Sequence, residues 1–166
     1  MPRTFEWFVK NKLIFKDNSI RNLSNDYIKK ARNNIVTMEL LSKVTNFKET
    51  LELPQDYDAD EWIVISAYYA MYISALSILA KLGYKSSNHS ATIKALEEFF
   101  VRKNLFGKEY LDILEKVKIN KEEIEELSKI KDRREIAQYS VTKETTKNLA
   151  EYTKKDAHKF VDKMEE

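Results

Sequence analysis

Trp62–Leu82, WIVISAYYAMYISALSILAKL, is apolar on every helical face and carries no charge before Lys81. A helix of that kind is either the buried middle of a helical domain or a membrane span. Ser66, Ser74, Ser77 and the hydroxyls of Tyr68, Tyr69 and Tyr72 would need partners that lipid lacks and a protein interior supplies. The flanks point the same way. Asp58, Asp60 and Glu61 stand at the positive end of the helix dipole, and Lys81 and Lys85 near the negative end. Asp58 and Glu61 are spaced as a capping box, with Trp62 the first large apolar residue. The stretch predicts the central helix of a soluble domain, with no membrane partner.

The rest of the composition agrees with an all-α fold. Two glycines and two prolines in 166 residues leave almost nothing for the tight turns of a β fold. That length buries a core without staples. With no cysteine, a disulfide framework, a thiolate zinc site and a cysteine nucleophile are excluded. Gly83 and Gly107 are the only glycines, so there is neither a glycine-rich phosphate loop nor a nucleophile elbow. Neither His89 nor His158 has a glutamate three residues before it, so the Glu-x-x-His signature of a di-iron bundle is missing. Structural or surface roles are expected for both, with no metal and no cofactor. The opening MPRTFEWFVKNK is interrupted by charge and lacks the apolar core of a secretory leader, so a cytoplasmic location is expected.

The net charge is +2, but the charge is segregated. Residues 1–48 hold ten basic and four acidic side chains, whereas residues 49–61 hold six acidic and no basic ones. A basic stretch of this kind tracks phosphates or is the solvated face of a lysine-rich helix, and charge alone leaves both open.

In chain order, residues 1–21 carry Phe5, Trp7, Phe8, Leu13, Ile14 and Phe15 and form an aromatic N-terminal arm that packs on the domain. Residues 22–166 form the bundle, with no linker or repeat to divide the chain. Asn22 or Ser24 caps a first helix with Tyr27, Ile28, Ala31, Ile35, Met38 and Leu41 inward, running to about Leu53 before Pro54. Gly83 closes the central helix in a left-handed conformation, and Ser86, Ser87 or Asn88 opens a helix over about 90–103 with Ile93, Leu96, Phe99 and Phe100 buried. A short helix near 109–117 follows. Asn120 and Glu123 then form a second cap signature, opening a helix through about Tyr139, and Thr142 starts the last one, with Leu149, Tyr152, Ala157, Phe160, Val161 and Met164 inward.

Leu127, Ile130, Ala137 and Val141 follow a three-four spacing, and Arg134 stands among them. A guanidinium in an apolar seam must be paired or stacked, because burying it alone costs several kcal/mol. One reading has Ser66, a tyrosine hydroxyl of the central helix such as Tyr68 or Tyr69, or a carboxylate satisfy it. The other has it line an anion-binding cleft.

SAYYAMYISALSILAKLGYKSSNHSATIKALEEFF (66–100), DRREIAQY (132–139) and a closing helix with DAHKFVDKM (156–164) together resemble the HEPN family of small helical proteins. The resemblance covers about Asn25 to Met164 and leaves the arm outside. It implies an up-and-down bundle of four to five main helices that commonly dimerises, with the arginine helices of both subunits along a shared cleft. Many members are metal-independent ribonucleases, often toxins paired with a nucleotidyltransferase antitoxin.

The ribonuclease motif of that family is an arginine followed after four to six residues by a histidine. Arg134 matches the first position, and after four intervening residues Tyr139 stands where the histidine would be, as in the subfamily whose motif ends in alanine, a polar residue and tyrosine. A histidine exchanges protons near neutral pH, whereas a tyrosine of pKa about 10 is a poor base. Tyr139 is left to bind a phosphate or stack on a base. On one straight helix it would lie about 140° from Arg134, with Gln138 near the arginine's face. Arg133 is expected to face solvent beside acidic neighbours.

The expectation is a HEPN-like homodimer that interacts with RNA or a nucleotide through Arg134, Gln138, Tyr139 and Arg133, supported by Ser66, Tyr68 and Tyr69. It implies half of a toxin–antitoxin pair with a nucleotidyltransferase. Two alternatives stand beside it, a metal-independent ribonuclease toxin and a purely structural protein-interaction bundle. Whether the chain is an enzyme is left open.

Overall fold

A computed structural model describes residues 3–131 and 139–166. In chain order these form α1 (Phe5–Lys10), β1 (Ile14–Lys16), a 3-10 turn (Asn18–Leu23), α2 (Ser24–Val44), α3 (Asp60–Lys81), β2 (Tyr84–Ser86), α4 (His89–Leu96), α5 (Glu109–Lys131) and α6 (Tyr139–Glu165). The architecture is an all-α bundle carrying one small antiparallel pair of strands.

The central stretch is α3, packed lengthwise against α2 and α6 with α5 as its third neighbour. Val64, Ala67, Ala70, Met71, Ala75 and Leu79 are wholly buried, and the alanines let neighbouring backbones approach closely. Its serines find the partners that burial demands. Ser77 donates to the carbonyl of Ser24 on α2 and Ser74 to the carbonyl of Met71, each at 2.8 Å. By length and composition α3 could cross a membrane, yet 67% of its apolar window is buried among its neighbours, as in a core helix. The expected capping box does not open it. Ala59 is the N-cap, Asp58 accepts from the backbone of Asp60 at 3.0 Å instead, and Trp62 is 57% exposed.

Ala31, Ile35 and Met38 of α2 are buried as the spacing predicts. Regular α-helix ends at Val44, earlier than the expected Leu53. Helical turns continue to a stop at Glu52, where φ is +53° and the amide of Leu53 donates back to the carbonyl of Lys48 at 2.9 Å. On α6, Ala150, Thr153, Ala157, Phe160, Val161 and Met164 face inward. Tyr152, expected inward, is 66% exposed, because the buried rhythm passes through Thr153 one position on. Arg32 of α2 pairs with Asp162 at 2.7 Å and also with Glu165, and Glu39 meets Lys154 at 3.7 Å and His158 at 2.8 Å, so Arg32 and Glu39 both stitch α2 to α6.

The arm is part of the core. Phe8, Ile14 and Ile20 are all buried, and β1 pairs antiparallel with β2, Ile14 opposite Ser86 and Lys16 opposite Tyr84. Asp17 forms a 2.8 Å ion pair with Lys85, its amide donates to the carbonyl of Gly83, and Arg21 reaches the carbonyl of Leu82 at 3.3 Å. The arm thereby supplies hydrogen bonds at the end of α3, where helix carbonyls lack intrahelical donors.

Asn88 caps α4, accepting from the amide of Ala91 at 2.9 Å. After Leu96 the helix widens into a π turn over Glu97–Val101, with Arg102 bonding back five residues to Glu97. Phe99 there meets Phe5 and Tyr84, while Phe100 stacks on Phe106. The two helices expected over 109–139 are one helix to Lys131, because no glycine or proline interrupts 109–131 and Asn120 sits inside it. Tyr139 is the first described residue of α6, so it belongs with the last helix.

Candidate RNA or nucleotide site

Tyr68 and Tyr72 lie one turn apart on α3, so their rings share a face and run parallel within 6°, with centroids 5.8 Å apart. Tyr69 meets Tyr68 edge-on at 5.1 Å. The cap at Asn88 makes His89 the first residue of α4 and turns its ring onto this pair, at 5.8 Å from Tyr68 and 5.7 Å from Tyr72. From α5, the Lys121 ammonium lies 5.2 Å from the ring of Tyr68 and 5.8 Å from that of Tyr69.

Burial differs sharply across the cluster. Tyr68 and His89 are each 9% exposed, whereas Tyr69 is 42% exposed and offers its ring to solvent. Burial pushes His89 down to about 4, the positive charge of Lys118 adding to the effect and Glu122 opposing it. The imidazole is neutral at neutral pH. Its Nδ1 lies 3.5 Å from the hydroxyl of Tyr68, at the limit of a hydrogen bond, and its buried Nε2 has no partner among the described residues.

No family model, curated protein or solved structure matches the chain.

The chemistry available here is recognition rather than proton transfer. A histidine held neutral down to about pH 4 is a weak base at neutral pH. An exposed tyrosine with the Lys121 ammonium beside it suits a base and its phosphate. Of the residues expected from the sequence, Tyr68 and Tyr69 are brought together, and Ser66 is buried on α3 one turn before Tyr69. Arg133, Arg134 and Gln138 lie outside the described residues, and Tyr139 is placed only by its backbone at the start of α6. Sequence reasoning missed Tyr72, His89, Lys118 and Lys121 as members of one cluster. The four-residue spacing of Tyr68 and Tyr72 was readable, whereas the approach of α4 and α5 is tertiary.

His158 is separate, on the surface against Glu39. Among the described residues no three of His, Cys, Asp or Glu converge as metal ligands. A cleft of about 500 Å³ between the arm, α4 and α5 mixes Arg3, Lys94 and Lys108 with Glu97, Asp112 and Glu115, so it favours no single sign of ligand.

Proposed function

We propose that the protein is a HEPN-like, dimeric, cytoplasmic helical module that binds RNA or a nucleotide, as one half of a toxin–antitoxin pair with a nucleotidyltransferase. The observation that carries this reading is the exposed ring of Tyr69 on the Tyr68–Tyr72–His89 stack, with Lys121 over the rings. Aromatic faces bind bases without strict sequence preference, and nearby ammonium groups hold the phosphates. Binding rather than cleavage is the activity assigned, because Tyr139 stands in the place of the motif histidine and His89 is too weak a base.

Fluorescence anisotropy with a labelled single-stranded RNA tests it. Tyr69→Ala should weaken binding by about 1–3 kcal/mol, the worth of one stacked base. Lys121→Ala should reduce the salt dependence by about one charge. Wild-type affinity in Tyr69→Ala would remove the cluster from the interface.

A further inference from the structure

The cleft of about 500 Å³ between the arm, α4 and α5 is of the size that small ligands occupy, and it shares no residue with the tyrosine cluster. Its floor is apolar, made by the buried Phe8, Ile93 and Leu111. Its charges balance without meeting. Lys94 and Glu97 pair with each other, whereas Arg3, Lys108, Asp112 and Glu115 are exposed and in no ion pair among the described residues. Two free cations and two free carboxylates suit a ligand that carries both signs and no net charge. The signs are also separated in space. Lys108 continues the path of α5, its carbonyl accepting from the amides of Leu111 at 2.9 Å and Asp112 at 3.2 Å. Asp112 and Glu115 follow one and two turns later on the same face, roughly 6 and 10 Å along the axis. Lys108 stands at the positive end of the α5 dipole, which favours a carboxylate beside it. A free amino acid, about 3.5 Å long, is too short to bridge these positions, whereas an extended peptide of two or three residues spans about 7–10 Å.

We propose that this cleft binds a short zwitterionic peptide with apolar side chains. The peptide carboxylate sits against Lys108 at the start of α5, its ammonium against Asp112 or Glu115, and its side chains on Phe8, Ile93 and Leu111. The site is independent of RNA binding. Because the charged groups are exposed, each contributes modestly, and the dissociation constant should be about 0.1–1 mM.

Isothermal titration calorimetry of the full chain with the dipeptide Leu-Leu at low salt tests it. Leu-Leu should bind, and acetylating its amine or amidating its carboxylate should each weaken binding about fivefold, the loss of one exposed charge contact. Gly-Gly, which offers nothing to the apolar floor, should bind at least about tenfold more weakly. Lys108→Met should bind Leu-Leu and its amide equally, and Asp112→Asn combined with Glu115→Gln should bind Leu-Leu and its acetylated form equally. These side chains are exposed, so the variants should melt as wild type does. No binding of Leu-Leu at about 10 mM, far above the expected constant, would overturn the proposal, as would capped peptides or Gly-Gly binding as tightly as Leu-Leu. So would a Lys108→Met variant that still discriminates against the amide.

Discussion

Gly83 closes α3 at φ +80°, and a Cβ there would stand 2.7 Å from Asn18 Oδ1 and 2.9 Å from Arg21 Nε. Two penalties therefore meet at one residue, the left-handed backbone and the crowding of the arm, and Gly83→Ala should cost about 1–3 kcal/mol. Urea unfolding with an unchanged midpoint would contradict this. Lys12, Glu52 and Asn104 stop other helical segments in the same left-handed region without being glycine. Each has a following amide that donates back five residues, from Leu13 to Phe8, Leu53 to Lys48 and Leu105 to Phe100. Lys12→Gly and Glu52→Gly should gain from a few tenths to about 1 kcal/mol, since the relief of backbone strain outweighs the added freedom of the unfolded chain. Arg134 presents the sharper alternative at this scale. As a ligand of phosphate, Arg134→Ala should leave the melt nearly unchanged while RNA affinity falls and its salt slope flattens. As a buried strut, the same change should cost about 3–5 kcal/mol. Melting and binding measured on one sample separate the two.

The arm behaves as a structural element of the bundle. Phe8, Ile14 and Ile20 each bury a side chain whose removal from water is worth about 1.5–3 kcal/mol, a sum comparable to the stability of a whole domain. A chain starting at Ser24 should therefore lose its cooperative thermal transition in circular dichroism, and a sharp melt near the wild-type temperature would refute that. Helices α2 and α6 were legible because their apolar residues recur at helical spacing, and α3 because it is apolar on every face over a long uncharged run. The strand pairing was not, since nothing local in Ile14–Lys16 specifies Tyr84–Ser86 as its partner. Asn120 and Glu123 match a cap in sequence, but a polar pair cannot end a helix that has no breaker before it. In the candidate site, Tyr68 and Tyr69 could be named from their place on the central helix. His89 could not, because only the packing of α4 on α3 stacks it there.

Across the whole molecule, acid should erode stability in two separate windows. His89 is held at about 4 in the folded protein against 6.5 when free, so the unfolded chain binds the extra proton between those values. Its contribution is complete above pH 6.5 and is lost as pH falls towards 4, at no more than about 1.4 kcal/mol per unit and less where solvent screens it. Asp17 follows, drawn down to about 2 by its bond to Lys85 and then by Ser19, so its contribution holds above 3.8 and disappears as pH falls through 2. Urea titrations should show the upper window flattened in His89→Gln and the lower one in Asp17→Asn. A parallel curve in either variant would reject that assignment. The pairing of the arm with β2 also bears on how the protein is made. Leu13 accepts a hydrogen bond from Ser87, 74 residues later in the chain. At ordinary translation speeds, that leaves Phe5, Trp7, Phe8 and Ile14 outside the ribosome for about 4–15 s before their partners exist. During synthesis, this aromatic segment must wait exposed until the strand that covers it has followed it out.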